Sequence, residues 1–223
     1  MLDNDTPKLD DYVKVKMLNS VEEVFDTLAS GQFRSGHWVF RGQGNEHWPL
    51  LPSLERFARC IVDQPGPIER HGLREFQRRA HHYATNLPDD NSALEWLALM
   101  RHHGSPTRLL DFTKSPYVAA FFATVDANGN DAAAIWAIDA VTLKAHAAEV
   151  LKTEHLNVLV SEIGKQCLNG ASFSDPKIFN KLLEGKGPMP SVVAPVEPFK
   201  FNKRMVLQQG LFLCPFGRNR LGV

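Results

Sequence analysis

The chain has 223 residues, 43% hydrophobic and 22% charged, long enough for one large domain with its own core and far from the composition of a disordered segment. Lys plus Arg (25) equals Asp plus Glu (25), so no overall field favours nucleic acid or an anionic membrane, and any anion site must be local. No run of about 18 apolar residues marks a membrane span, and three widely spaced cysteines, Cys60, Cys167 and Cys214, suggest neither a disulfide framework nor zinc; the expectation is a cytoplasmic protein.

After an N-terminal segment over 1–19, Ser20 stands ahead of Glu22 and Glu23, with Val21, Val24, Phe25 and Leu28 at helical spacing, which predicts a short capped helix. Gly31, Ser35 and Gly36 punctuate a loop, and HWVFR then reads as a strand that delivers Arg41 at its end. Pro49 and Pro52 predict an irregular apolar segment. Leu73, Phe76, Ala80 and Tyr83 share one face of a helix whose other sides carry Arg74, Arg78 and Arg79.

Residues 93–103 predict another helix, stopped by Gly104 and Pro106. TRLLDF reads as a strand, and Ser115 with Pro116 reads as the cap and first residue of a helix that, being apolar on most sides, should be buried. Asn128, Gly129 and Asn130 predict a turn before a core strand in AAAIWAID. Residues 141–184 read as mostly helical, 185–198 as a proline-rich loop or exposed crossing segment, and RMVLQQGLFLCPF as strands broken at Gln208, Gln209 and Gly210. Together these elements predict an α+β single domain, with a mixed or antiparallel sheet core and several packed helices.

The common catalytic signatures are missing: there is no GxxxxGK[ST], GQG at 42–44 lacks a third glycine, and no GxSxG occurs. His81, His82, His102 and His103 come as adjacent pairs, unlike ligands one helical turn apart, so no metal is expected. The informative residues are polar groups set inside apolar writing: Arg41 at the end of one strand, Thr107, Arg108, Asp111 and Thr113 along another, Gln208 and Gln209 within a third. Buried polar groups need partners, so Arg108 could satisfy Asp111, or Arg41 could. Alternatively these groups converge on a cleft where the fork of Arg41 meets a phosphate, Gly42 admits a close backbone approach and His102 bonds a ribose.

VFRGQ at 39–43 with LLPSLER at 50–56, HHGSPTRLLDFTKSPYVAAFFA at 102–123, and QQGLF at 208–212 resemble the FRG domain, a family named for its Phe-Arg-Gly motif, here Phe40, Arg41 and Gly42. The resemblance runs from about residue 20 onward, so 20–223 are taken as the domain. One departure is that the family commonly writes glutamine and an aromatic around the histidine, where this chain has Arg101 and His103. FRG domains occur in bacterial, phage and mobile-element proteins, which implies a toxin or phage-defence role.

The order of the blocks is also similar to ADP-ribosyltransferases, and that likeness implies NAD or a related nucleotide as cofactor. It places Arg41, Gln208 and Gln209 in catalytic roles and Gly42, His102, Thr107, Arg108, Asp111, Thr113 and Ser115 around the cofactor. The third-block glutamate of those enzymes is replaced by glutamine here, and Glu197 is its nearest substitute in sequence. The alternative is a module that binds a nucleotide or a protein target without turnover.

Overall fold

A computed structural model describes residues 13–61, 65–125, 127, 129, 131–153, 158–185, 189–200 and 203–217. Among them five strands, β1 (Trp38–Gln43), β2 (Leu110–Thr113), β3 (Ala134–Asp139), β4 (Val192–Val196) and β5 (Gly210–Phe216), form one curled antiparallel sheet in the order β3-β1-β2-β5-β4. The α+β expectation holds, with the antiparallel form of the sheet.

Nine α-helices surround the sheet among the described residues: α1 (Val21–Leu28), α2 (Ser53–Ile61), α3 (Pro65–Ala80), α4 (Ala93–His102), α5 (Pro116–Val125), α6 (Ala140–Lys152), α7 (Val158–Leu168), α8 (Pro176–Glu184) and α9 (Lys203–Leu207). The caps form as their residues require. Ser20 Oγ accepts from the Glu23 amide at 3.1 Å while Glu23 Oε2 accepts from the Asn19 amide at 2.7 Å. Ser115 Oγ accepts from the Val118 amide at 3.3 Å, one turn into α5.

Strand alternation gives the sheet two apolar faces. Val39, Leu110, Phe112, Leu211 and Leu213 cluster on one, joined by Trp136, Ile138 and Leu143. On the other, Val192, Ala194, Val196, Phe212, Cys214 and Phe216 pack with residues of α4, α6, α7 and α8 in the larger core. Cys214 is fully enclosed there, and burial pushes its thiol far up, so it stays protonated and inert.

Four expectations need correction. The segment read as a loop over 185–198 contains β4: it is an edge strand, so Pro195 needs no ladder amide, while Val192, Ala194 and Val196 alternate inward. RMVL is the short helix α9 and not a strand, leaving β5 to begin at Gly210 after Gln209 turns the chain with φ 48°. The helix predicted from His71 begins earlier, at Pro65, because prolines are tolerated in a first turn that lacks amide partners anyway.

The fourth is α5, which is buried on one side only. Ala119 and Ala123 are enclosed against β1, whereas Tyr117, Phe121 and Val125 on the opposite side are exposed. Of the predicted Asn-Gly-Asn turn, Gly129 has a φ of 82°, and Asn128 and Asn130 lie outside the described residues.

Candidate functional site

The three sequence blocks meet in space. Phe40 of β1 faces Thr113 of β2 across the sheet, Arg41 Nη1 donates to the Asp111 carbonyl at 2.9 Å, and Thr113 Oγ1 donates to the Gln208 carbonyl at 2.6 Å. Arg41 thus anchors to backbone, and the carboxylate of Asp111 is left for another cation.

That cation is Arg101, on the last turn of α4. Its Nε donates to Asp111 Oδ2 at 3.0 Å and its Nη2 donates to the same oxygen, while Nη1 donates to Ser53 Oγ at 3.1 Å. Ser53 also accepts from the Thr107 amide at 3.2 Å and donates to the Thr107 carbonyl at 3.3 Å. The start of α2, the end of α4 and the loop into β2 are therefore one hydrogen-bonded junction, and the irregular segment with Pro49 and Pro52 is what brings Ser53 there.

A second guanidinium lies beside it. Arg56 Nη1 donates to the Leu51 carbonyl at 2.5 Å. Burial lowers the Arg56 pKa, the neighbouring Arg101 charge lowers it further, and Asp111 offsets part of this. The sequence thus places two like charges close together against a single carboxylate, an arrangement that favours an additional anion.

The junction floors a cleft of about 220 Å³. Its lining includes Arg101, His102, Asp111, Arg204, Gln208 and Gly210, with Ala98, Phe112, Met205, Leu211 and Phe212 as apolar walls. Arg204 donates from Nε to Gln208 Oε1 at 3.2 Å. Among the described lining residues Asp111 is the only carboxylate, and Arg101 already engages it with two donors. Two permanent cations therefore share a partly apolar cleft with one occupied carboxylate.

The predicted site residues divide. Asp111, His102 and Gln208 line the cleft, and Arg41 reaches it through the Asp111 carbonyl. Gln209 is exposed and accepts, through its carbonyl, from the Lys114 amide at 2.9 Å. Thr113 is buried, and its hydroxyl also accepts from the Ser115 amide at 3.0 Å, tying block two to the start of α5. Thr107 is fully buried with both backbone polar groups on Ser53.

The close approach predicted at Gly42 is made by protein: a Cβ there would sit 2.6 Å from the Ala123 nitrogen and closer still to the Ala119 carbonyl. The pairing of Arg108 with Asp111 does not occur. Arg108 is held by Glu69 of α3, which accepts from its Nε at 2.5 Å and from its amide at 2.9 Å, and Arg108 Nη1 donates to the Pro215 carbonyl at 3.3 Å. Burial works against the Arg108 charge, and Glu69, with Cys214 and Glu55, together outweigh it, so the guanidinium is more firmly protonated than usual. Glu197 lies outside the cleft lining and pairs with Lys114 at 2.8 Å.

Sequence reasoning missed Ser53, Arg56, Arg204 and the role of Arg101. Only Arg101 carried a signal, as the residue that departs from the family pattern beside His102. No group of three or more His, Cys, Asp or Glu side chains suited to a metal occurs among the described residues, and no helix there is long and apolar enough to cross a membrane.

No curated protein and no solved structure matches this chain. Residues 36–132 match a family model, a segment that holds Arg41, Ser53, Arg56, Arg101 and Asp111 but stops short of the third block. The description of that model is the FRG domain, so residues 36–132, somewhat less than half of the chain, are similar to that domain.

Proposed function

We propose that the cleft recognises a phosphate-bearing nucleotide, NAD or a relative, as a binding module without turnover. The observation that carries this reading is the convergence of Arg101, with Arg56 behind it, and Arg204 on a cleft whose one carboxylate is already engaged. Three of the five N–H donors of Arg101 are spent on Asp111 and Ser53, which leaves two for a phosphate oxygen, and the planar fork suits such a group. The apolar walls at Phe112, Met205 and Leu211 favour a ligand with an uncharged body as well as a charged head.

Binding is favoured over ADP-ribosyl transfer by the donor set. Cleaving the nicotinamide bond develops positive charge on the ribose, which a free carboxylate favours and a glutamine does not. Gln208 lines the cleft, Asp111 is tied to Arg101, and Glu197 is paired elsewhere. On the family's association with bacterial and phage proteins, such recognition would serve a defence response.

Calorimetric titration with NAD, ADP-ribose, ATP and inorganic phosphate tests the reading, with nicotinamide release followed in the same samples. Saturable binding without release is expected. Loss of a charged hydrogen bond, about 1.5–3 kcal/mol, predicts at least ten-fold weaker binding in Arg101→Gln. Absence of binding by any of the four would overturn the proposal, and release of nicotinamide would replace it with the enzymatic reading.

A further inference from the structure

The sequence writes α5, PYVAAFFATV, without a single charge, yet only one side of it is covered. Ala119 and Ala123 face β1, and at about 100° per residue Tyr117, Phe121 and Val125 fall on the side directly opposite. Their exposures are 49%, 59% and 60%. Beside them lies α1, whose Phe25 ring is 6.1 Å from that of Tyr117 and which exposes Val21 as well as Phe25, one turn apart. Two neighbouring helices thus present one apolar face with three half-open aromatic rings.

We infer that this face joins two copies of the chain in an isologous dimer. Area is the first argument: rings of about 200 Å², half exposed, and two valines together offer roughly 450 Å² of apolar surface, the size of patch that marks an interaction site. With a polar margin this approaches the ~800 Å² per partner of a stable interface.

Charge is the second argument. Exposed Glu22 and Asp26 flank Val21 and Phe25 on α1, and Lys14 and Lys16 are exposed in the segment just before it, with Lys16 Nζ donating to Thr27 Oγ1 at 2.9 Å. A two-fold contact requires a surface complementary to itself, and acid on α1 with base in the segment before it supplies both signs on each copy. The chain as a whole is neutral, so two copies meet without net repulsion.

Analytical ultracentrifugation of the full chain tests the inference. A two-chain mass is expected at concentrations of about 50 µM, dissociating on dilution. Tyr117→Asp with Phe121→Asp, both exposed and outside the cleft, should give a monomer with unchanged circular dichroism and thermal midpoint. Phe25→Lys, on the other helix, should weaken association at least ten-fold independently. A wild-type monomer at every concentration, or a dimer that persists in these variants, would refute the face as a self-association surface.

Discussion

Replacing Glu69 by alanine should be among the most costly single changes in this chain. The Glu69 side chain is 2% exposed and that of Arg108 15%, so the pair is shielded from water, and a guanidinium cannot relieve the loss of its partner by giving up a proton. Alanine leaves Arg108 Nε and the Arg108 amide without their acceptor at once. Removing one member of a buried pair costs about 3–5 kcal/mol. The carboxylate of Glu55 also favours the Arg108 charge, and Nη1 keeps the Pro215 carbonyl, so the lower half of that range is expected.

For a chain of this size 1 kcal/mol corresponds to about 2–4 °C, which predicts a thermal midpoint lowered by roughly 10 °C. Unfolding followed by circular dichroism, with a urea titration of the same variant, measures it. The double change Glu69→Leu with Arg108→Met should recover most of the loss, since it removes both charges and keeps apolar volume. A Glu69→Ala protein within about 1 kcal/mol of wild type would refute the assignment of this pair as a buried, mutually dependent one.

Gly42→Ala should destabilise the fold by about 3 kcal/mol, because the added methyl meets the backbone of α5, which can yield only by moving as a whole; thermal unfolding measures this. Asp139→Ala should cost about 1 kcal/mol at neutral pH, as Asp139 caps α6 through the amides of Thr142 and Val141. The Thr142 amide, then the Thr142 hydroxyl and the Val141 amide, hold the Asp139 pKa below 3.8. This stabilisation is therefore complete above pH 3.8 and fades as pH falls through the lower folded value, so wild type and variant should converge in acid melts. Arg204→Ala should weaken nucleotide binding in calorimetry while leaving the thermal midpoint within about 0.5 kcal/mol of wild type, because the residue is exposed on α9.

Local chemistry was the legible part of this fold. Ser20, Ser115 and Pro116 mark helix starts because a cap depends on residues within one turn of it, and HWVFR marks a strand because aromatic and β-branched residues alternate there, although the strand runs past Arg41 to Gln43. Illegible were the elements whose identity depends on position in the sheet. Pro195 argues against a strand anywhere except at an edge, and nothing in residues 185–198 says that β4 is one. Likewise RMVL is apolar enough for a strand, yet it lies in the short helix α9, where Met205 alone is buried.

The candidate site divides by the same logic. Arg41, Asp111 and Gln208 were legible as polar residues inside apolar runs, since such residues must meet something. What they meet was not legible, because it is set by which helix ends reach the sheet. Arg108 precedes β2 and Asp111 lies within it, and their side chains leave in different directions, one to Glu69 of α3 and the other to Arg101 of α4. Arg101 stands where the family pattern has glutamine, and this single difference turns a neutral group beside Asp111 into a charge-assisted clamp. A glutamine there would leave the Asp111 carboxylate without that guanidinium partner, more available to a ribose hydroxyl and less compatible with a phosphate. On the proposed reading, the residue at position 101 therefore sets both the charge of the cleft and the state of Asp111, the one carboxylate among the described lining residues.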